Sequence, residues 1–122
     1  MGGHLITITS QAEQSFVERI VLSEGTKNSY WMGGFRNSTG NYEWITKEPF
    51  IYSYWAKGEP NNAFGGEYII SMYRNSLTNR TIAGEWNDMS EDGSTKNQNH
   101  KIFFGSHNFG FICEWDSYSA IK

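Results

Sequence analysis

One cysteine, Cys113, and two prolines are all that this chain of 122 residues contains of either type. A lone thiol cannot close an internal disulfide. As a catalytic group it would need a neighbouring base, and no motif supplies one, so Cys113 is expected to be a small buried hydrophobe. No stretch approaches the roughly 18–20 apolar residues of a membrane span. Met1-Gly2-Gly3-His4 has neither the charged nor the apolar region of a secretory signal. Lys and Arg number 10 against 13 Asp and Glu, a net charge of −3, and no basic run exists. That argues against nucleic acid, whose phosphates must be met by clustered cations. The three histidines, His4, His100 and His107, are too scattered to form a recognised zinc pattern.

What is present is aromatic and glycine-rich. Five Trp, seven Tyr, eight Phe and thirteen Gly indicate an ordered domain with many tight turns. The length suits a single domain over residues 1–122 with one core. Leu5 to Thr9 reads as a strand of β-branched residues. Ser10 and Glu13 form a capping box, and the Glu13 carboxylate is expected to reach back to Ser10 N–H. The one clear helix follows over about residues 11–23, with Ala12, Phe16, Val17, Ile20 and Val21 as its apolar stripe and Gly25 as its stop. Strands are predicted around 30–34, 42–46, 68–73, from 84 onward, and as one unit over 109–115. Residues 47–66 carry both prolines and many aromatics without periodicity, the mark of an ordered, functional loop. Residues 89–108 read as a polar exposed loop. The class is α+β, one helix against mainly antiparallel sheets.

Two short clusters carry chemistry. Glu59-Pro60-Asn61 is followed by Glu67, and Trp86-Asn87-Asp88 lies further on. Glu59, Asn61, Glu67, Asn87 and Asp88 offer only carboxylate and carboxamide oxygens. A hard cation such as Ca²⁺ takes six to eight such oxygens at roughly 2.3–2.6 Å, whereas softer metals want Cys or His. Glu59 and Asn61 are two apart and share a face in extended chain. A cis Glu59–Pro60 bond would bring them together, and Gly65-Gly66 would let the loop return with Glu67. The carboxamides add donors to the acceptors, which a sugar hydroxyl on the ion requires.

These residues resemble a known family. Gly2-Gly3-His4-Leu5, Thr9-Ser10 with Glu13, Trp31-Met32-Gly33-Gly34, Trp44 with Trp55, Glu59-Pro60-Asn61, Glu67, Trp86-Asn87-Asp88 and Phe111-Ile112-Cys113-Glu114 occur in the order of a C-type lectin-like domain of a plain bacterial sort. The resemblance spans Gly2 to Trp115. It implies a C-type lectin-like fold, an extracellular or cell-surface setting, and a Ca²⁺ held by Glu59, Asn61, Glu67, Asn87 and Asp88. Asp88 would use both its side chain and its backbone carbonyl. The same five residues would bind carbohydrate. Glu-Pro-Asn implies mannose-type sugars, with glucose, N-acetylglucosamine and fucose.

Departures are visible. The family's first strand and first helix would precede Gly2 and are absent from this sequence; Cys113 matches a closing-strand cysteine whose partner belongs to that helix. Ile6, Ile8 and Phe111 are then expected to lack a partner layer. A second calcium site would need acids where Asn62 and Tyr68 stand. Asn37-Ser38-Thr39 and Asn79-Arg80-Thr81 are sequons that read as accidental. Tyr52, Tyr54 and Phe64 flank the loop, either to stack on a sugar or to pack in the core. Two rival functions remain: an interaction or structural domain using calcium only to order its loop, and a glycosidase with Glu59 and Glu67 as its carboxylate pair. The second is disfavoured because both acids are committed to the ion. A non-enzymatic binder, working in several copies or within a larger protein, is the expectation.

Overall fold

The computed structural model describes residues 3–62, 66–74, 82–90 and 109–115. The element order is β1 (Gly3–Leu5), α1 (Gln11–Glu24), β2 (Ser29–Arg36), β3 (Tyr42–Trp44), β4 (Ile69–Tyr73), β5 (Trp86–Met89), β6 (Phe109–Phe111) and β7 (Cys113–Trp115). β1 and β7 form an antiparallel ribbon, Gly3 opposite Trp115 and Leu5 opposite Cys113. The larger sheet runs β3-β2-β4-β5, all antiparallel, with β6 joining β2 in parallel. One helix and mostly antiparallel pairing make this the α+β class expected.

β2 is central because its residues can be buried on both faces: Ser29 to Gly34 is covered throughout. Gly33 serves a close approach. A Cβ there would lie 2.7 Å from the Leu5 carbonyl oxygen, and the Gly33 N–H donates to the Ile6 carbonyl at 2.8 Å. The observed strand is displaced toward the N-terminus from the one predicted over 5–9 and shares only Leu5 with it. Its ladder covers Gly3–Leu5, and single hydrogen bonds from Ile6 to Ile112 and Gly33 tie down the rest. The predicted strand over 109–115 breaks at Ile112, where the chain leaves β2 and crosses to β1.

The Ser10 hydroxyl accepts the Glu13 N–H at 3.2 Å, as a capping box requires. The Glu13 carboxylate differs from expectation. It takes the Thr9 N–H at 2.6 Å and the Thr9 hydroxyl at 3.0 Å, one residue further back than Ser10. The apolar stripe also differs. Gln14, Val17 and Val21 face the core at helical spacing, while Phe16 is 56% and Ile20 42% exposed. Gln14 can be buried because its carboxamide is fully engaged. Its Oε1 accepts the Trp86 Nε1–H at 2.9 Å, and its Nε2 donates to the Gly84 carbonyl at 2.8 Å. Gly25 ends the helix with φ −71°, not a left-handed turn; the position is glycine because a Cβ would meet Val21 O and Tyr30 Oη within 2.6 Å.

Ile6 and Ile8 find the partners that were expected to be missing. They are buried with Val17, Val21, Met32, Trp44, Ile70, Met72 and Trp86 in one cluster. Phe111 is left out at 67% exposure. Cys113 is exposed, not buried, because β7 is an outer ribbon whose odd positions point outward.

Candidate metal centre

The long loop is ordered from beneath by aromatic rings. Trp86, fully buried, has Trp44, Trp55 and Tyr52 at ring-centroid distances of 5.7, 5.8 and 6.0 Å, and Phe50 stacks on Trp44 at 5.0 Å. Tyr52 and Tyr54 are thus core-packing residues, and the Tyr52 hydroxyl donates to Gln11 Oε1 at 2.8 Å. Backbone bonds close the loop onto β5: Trp86 N–H to the Tyr54 carbonyl at 2.9 Å, and Ala56 N–H to the Trp86 carbonyl at 2.8 Å. The next residues on β5 are Asn87 and Asp88. The next in the loop are Glu59, Pro60 and Asn61, and the Glu59–Pro60 bond is cis.

Asp88 is the hub. Its side chain is fully buried, and its carboxylate accepts the Asn61 N–H at 3.1 Å, the Asn62 N–H at 2.6 Å and the Tyr42 hydroxyl at 3.3 Å. Burial, and then the Asp88 charge, push the Tyr42 phenol well above its ordinary range, so it stays a donor. Asn61 Nδ2 contacts Glu59 Oε2 at 3.4 Å. Glu67 is buried; its N–H donates to Asn62 Oδ1 at 3.1 Å, and its charge acts on both Glu59 and Tyr42. Glu59, Asn61 and Asp88 are therefore brought together, with Glu67 close by.

Asn87 is placed differently. It neighbours Asp88 on a strand, so the two side chains leave opposite faces. Its Oδ1 accepts the hydroxyl of Ser71, its cross-strand partner, at 2.7 Å. A carboxamide oxygen has two lone pairs, so one remains for a ligand. Among the described residues no three His, Cys, Asp or Glu side chains form a preassembled metal group. Such a grouping omits carboxamides, and the carboxylates here repel one another without a cation between them.

That repulsion is the test of fit. Glu59 Oε1 is buried and meets no donor. The Glu59 carboxyl is acted on by the hydrogen bonding and charge of Asp88 and by the charge of Glu67. Burial, then Asp88 and Glu67, push the Glu59 carboxyl up to about 8, against a weaker opposite pull from the Asn61 backbone. A buried carboxyl oxygen with no hydrogen-bond partner, among carboxylates and carboxamides, fits a divalent cation with oxygen ligands, which would take the ionised form. The raised acid is thus a product of burial and of crowding among carboxylates.

Sequence reasoning did not single out Ser71, Tyr42 or Arg36. Ser71 has a signal: it is the one small polar residue inside the strand Ile69–Tyr73. Tyr42 and Arg36 pair with one another across β2 and β3 and carry no motif. Phe64, Gly65, His100, His107, the Asn79 sequon and most of the 89–108 loop lie outside the described residues. Asn37 lies in a described turn, its Oδ1 taken by the Thr39 and Asn41 N–H groups.

A family model described as "Lectin C-type domain" matches residues 1–96. The chain belongs to the C-type lectin domain family. A C-type lectin, lectoxin-Lio1 of Erythrolamprus poecilogyrus, is 32% identical over 90 residues, which is 73% of this chain and 52% of the relative. Among solved structures, the C-type lectin CEL-I from Cucumaria echinata superposes with a TM-score of 0.62 at 26% identity, covering 72% of this chain and 60% of that one. The cow C-type carbohydrate-recognition domain of CD23, solved in the presence of a GlcNAc2Man3 oligosaccharide, gives 0.58 at 31% identity, covering 71% and 59%. This C-type lectin domain spans about half the length of the curated relatives it matches. The C-type lectin family members that this domain matches are non-enzymatic binding proteins. No helix among the described residues is long and apolar enough to cross a membrane.

The metal-free domain has a checkable proton linkage. A Glu59 carboxyl raised to about 8 favours the neutral form in the folded chain. That contribution to stability is complete below the unfolded carboxylate range and is lost as pH rises through about 8. A cation takes the ionised form, so calcium binding at pH 7 is expected to release roughly nine-tenths of a proton from Glu59, falling to about a tenth at pH 9. Calorimetry in buffers of different ionisation heat reads this directly. Buffer-independent heats at pH 7 would mean that Glu59 is already ionised.

Proposed function

We propose that this domain binds carbohydrate through a calcium ion held by Glu59, Asn61, Glu67, Asn87 and Asp88, with mannose-type sugars preferred. The observation that carries the reading is the buried Glu59 oxygen with no hydrogen-bond partner, in a carboxyl crowded by Asp88 and Glu67. Bound calcium would supply the direct link to two neighbouring sugar hydroxyls. The chain's own residues do the rest. Glu59 and Glu67 accept hydroxyl protons. Asn61 and Asn87 donate to hydroxyl oxygens. Asp88 holds the loop by accepting from Asn61 and Asn62. Ser71 fixes the Asn87 carboxamide so that its Nδ2 points away from the hydroxyl it accepts from.

The setting proposed is extracellular or cell-surface, where calcium modules work with affinities of about 10⁻⁴–10⁻³ M. Single-sugar contacts of this kind are weak, about millimolar, and become useful through several copies or a larger protein. The test is calcium titrated into metal-free protein, then mannose and galactose into the loaded form. The expected outcome is calcium heat followed by mannose-selective heat. Calcium heat with no response to either sugar would leave an interaction domain whose ion only orders its loop. No calcium heat from folded protein would end the site assignment.

A further inference from the structure

Arg36 closes β2 beside the site, and four of its contacts fall on one short stretch of chain. Its backbone N–H donates to the Tyr68 carbonyl at 2.7 Å. Its Nη2 donates to Asn62 Oδ1 at 3.1 Å, and its Nε makes a longer contact of 3.4 Å with the Glu67 carbonyl. Its guanidinium lies over the Tyr68 ring, 4.6 Å from the centroid. Asn62 and Glu67 lie five residues apart, on the stretch between Asn61 and its next carboxylate. The Asn62 Oδ1 that receives Arg36 also receives the Glu67 N–H, and the Asn62 N–H goes to Asp88. Asn62 sits at φ +45°, a left-handed conformation that needs local partners to persist. A chain of hydrogen bonds therefore runs from Arg36 through Asn62 to Asp88.

We propose that Arg36 is a positioning residue for the calcium site: its guanidinium fork is a built-in cation that clamps Asn62 to Glu67 and holds the loop ready for the ion. The inference deepens the calcium-dependent reading and rests on it. Two effects of Arg36 oppose each other. Its positive charge repels calcium, which weakens binding. Its fork removes the need to order the loop during binding, which strengthens it. The charge is only partly buried and is screened by water, whereas the fork acts through direct bonds, so the fork wins. Lysine keeps the charge but lacks the planar fork and the stacking surface. Methionine keeps much of the stem and removes both charge and donors.

The experiment compares wild type, Arg36→Lys and Arg36→Met, by calcium titration and by amide exchange of the metal-free proteins. Arg36→Lys is expected to bind calcium roughly five- to tenfold more weakly, the loss of one or two hydrogen bonds. Arg36→Met, relieved of the repulsion, is expected to fall less. In both, the Glu67 N–H exchanges faster before any calcium is added, while amides of β2 and β4 away from the loop are unchanged. Wild-type affinity in Arg36→Lys, with raised affinity in Arg36→Met, would overturn the proposal and leave only a charge effect. Unchanged Glu67 exchange would overturn it too. Tyr68→Leu keeps every hydrogen bond of the clamp and is expected to weaken calcium by about two- to fivefold through loss of the stacked ring; it serves if an Arg36 variant does not fold. Failure of wild type to bind calcium would instead remove the underlying reading, and the amide exchange would then report on the clamp alone.

Discussion

Asparagine in place of Asp88 is expected to lower calcium affinity by at least a hundredfold, about 2.7 kcal/mol or more, and to free the loop at Asn61 and Asn62. The substitution keeps shape and changes chemistry in two ways. It removes one of three carboxylates from a site whose charge attracts the ion. It also turns one acceptor oxygen into an NH₂ group, while Asp88 now receives three donors on its two oxygens: the Asn61 N–H, the Asn62 N–H and the Tyr42 hydroxyl. In either orientation the new amide points donors at a donor, inside a fully buried setting. Amide exchange should show lost protection at Asn61 and Asn62 without calcium. A second readout separates charge from geometry. With Asp88 neutral, Glu59 loses the largest of its charged neighbours, so its carboxyl returns toward the ordinary range and the proton released on binding at pH 7 falls. Near wild-type calcium affinity in this variant would place the ion elsewhere.

The sequence was most legible where one residue type does one job. Ser10 and Glu13 before an apolar repeat predict a helix cap, and the Ser10 half of it forms, while the Glu13 carboxylate reaches Thr9 instead of Ser10. Glu59, Asn61 and Asp88 were found by donor chemistry, and the fold brings them together. The errors arise where a second element decides. The helix stripe was read as apolar, yet the buried face includes Gln14, because Trp86 and Gly84, some 70 residues away in the chain, satisfy its amide. Phe16 is left exposed, while Gln14, Val17 and Val21 take the core face. Cys113 was read as buried from residue type alone, but a two-stranded ribbon has an outer face, and alternation puts Cys113 on it. Asn87 and Asp88 read as one motif, and only the register with β4 reveals that Ser71 receives one and the loop the other. Arg36 carries no motif, since its role depends on two ends of a loop meeting it in space.

Trp86 is where the fold and the site depend on one side chain, and Trp86→Ala is expected to cost about 3–5 kcal/mol. A domain of this size has about 5–15 kcal/mol in total, so the variant stands near the edge of folding at 25 °C. The loss is large because the indole touches everything that orders the loop: Trp44, Tyr52 and Trp55 pack on its ring, and Gln14 of the helix accepts its N–H. Trp86→Phe separates these roles. It keeps a ring against the aromatic cluster but leaves the buried Gln14 Oε1 without its donor, a cost of about 1–3 kcal/mol. Urea titration of the metal-free proteins should therefore rank wild type above Trp86→Phe above Trp86→Ala. Calcium then supplies a second axis. A ligand that binds only folded chain at a hundred times its dissociation constant adds about 2.7 kcal/mol, so saturating calcium should restore cooperative unfolding to the alanine variant if the ligand cluster survives the cavity. Equal urea midpoints for all three proteins would mean that the aromatic cluster is not what holds the loop against β5.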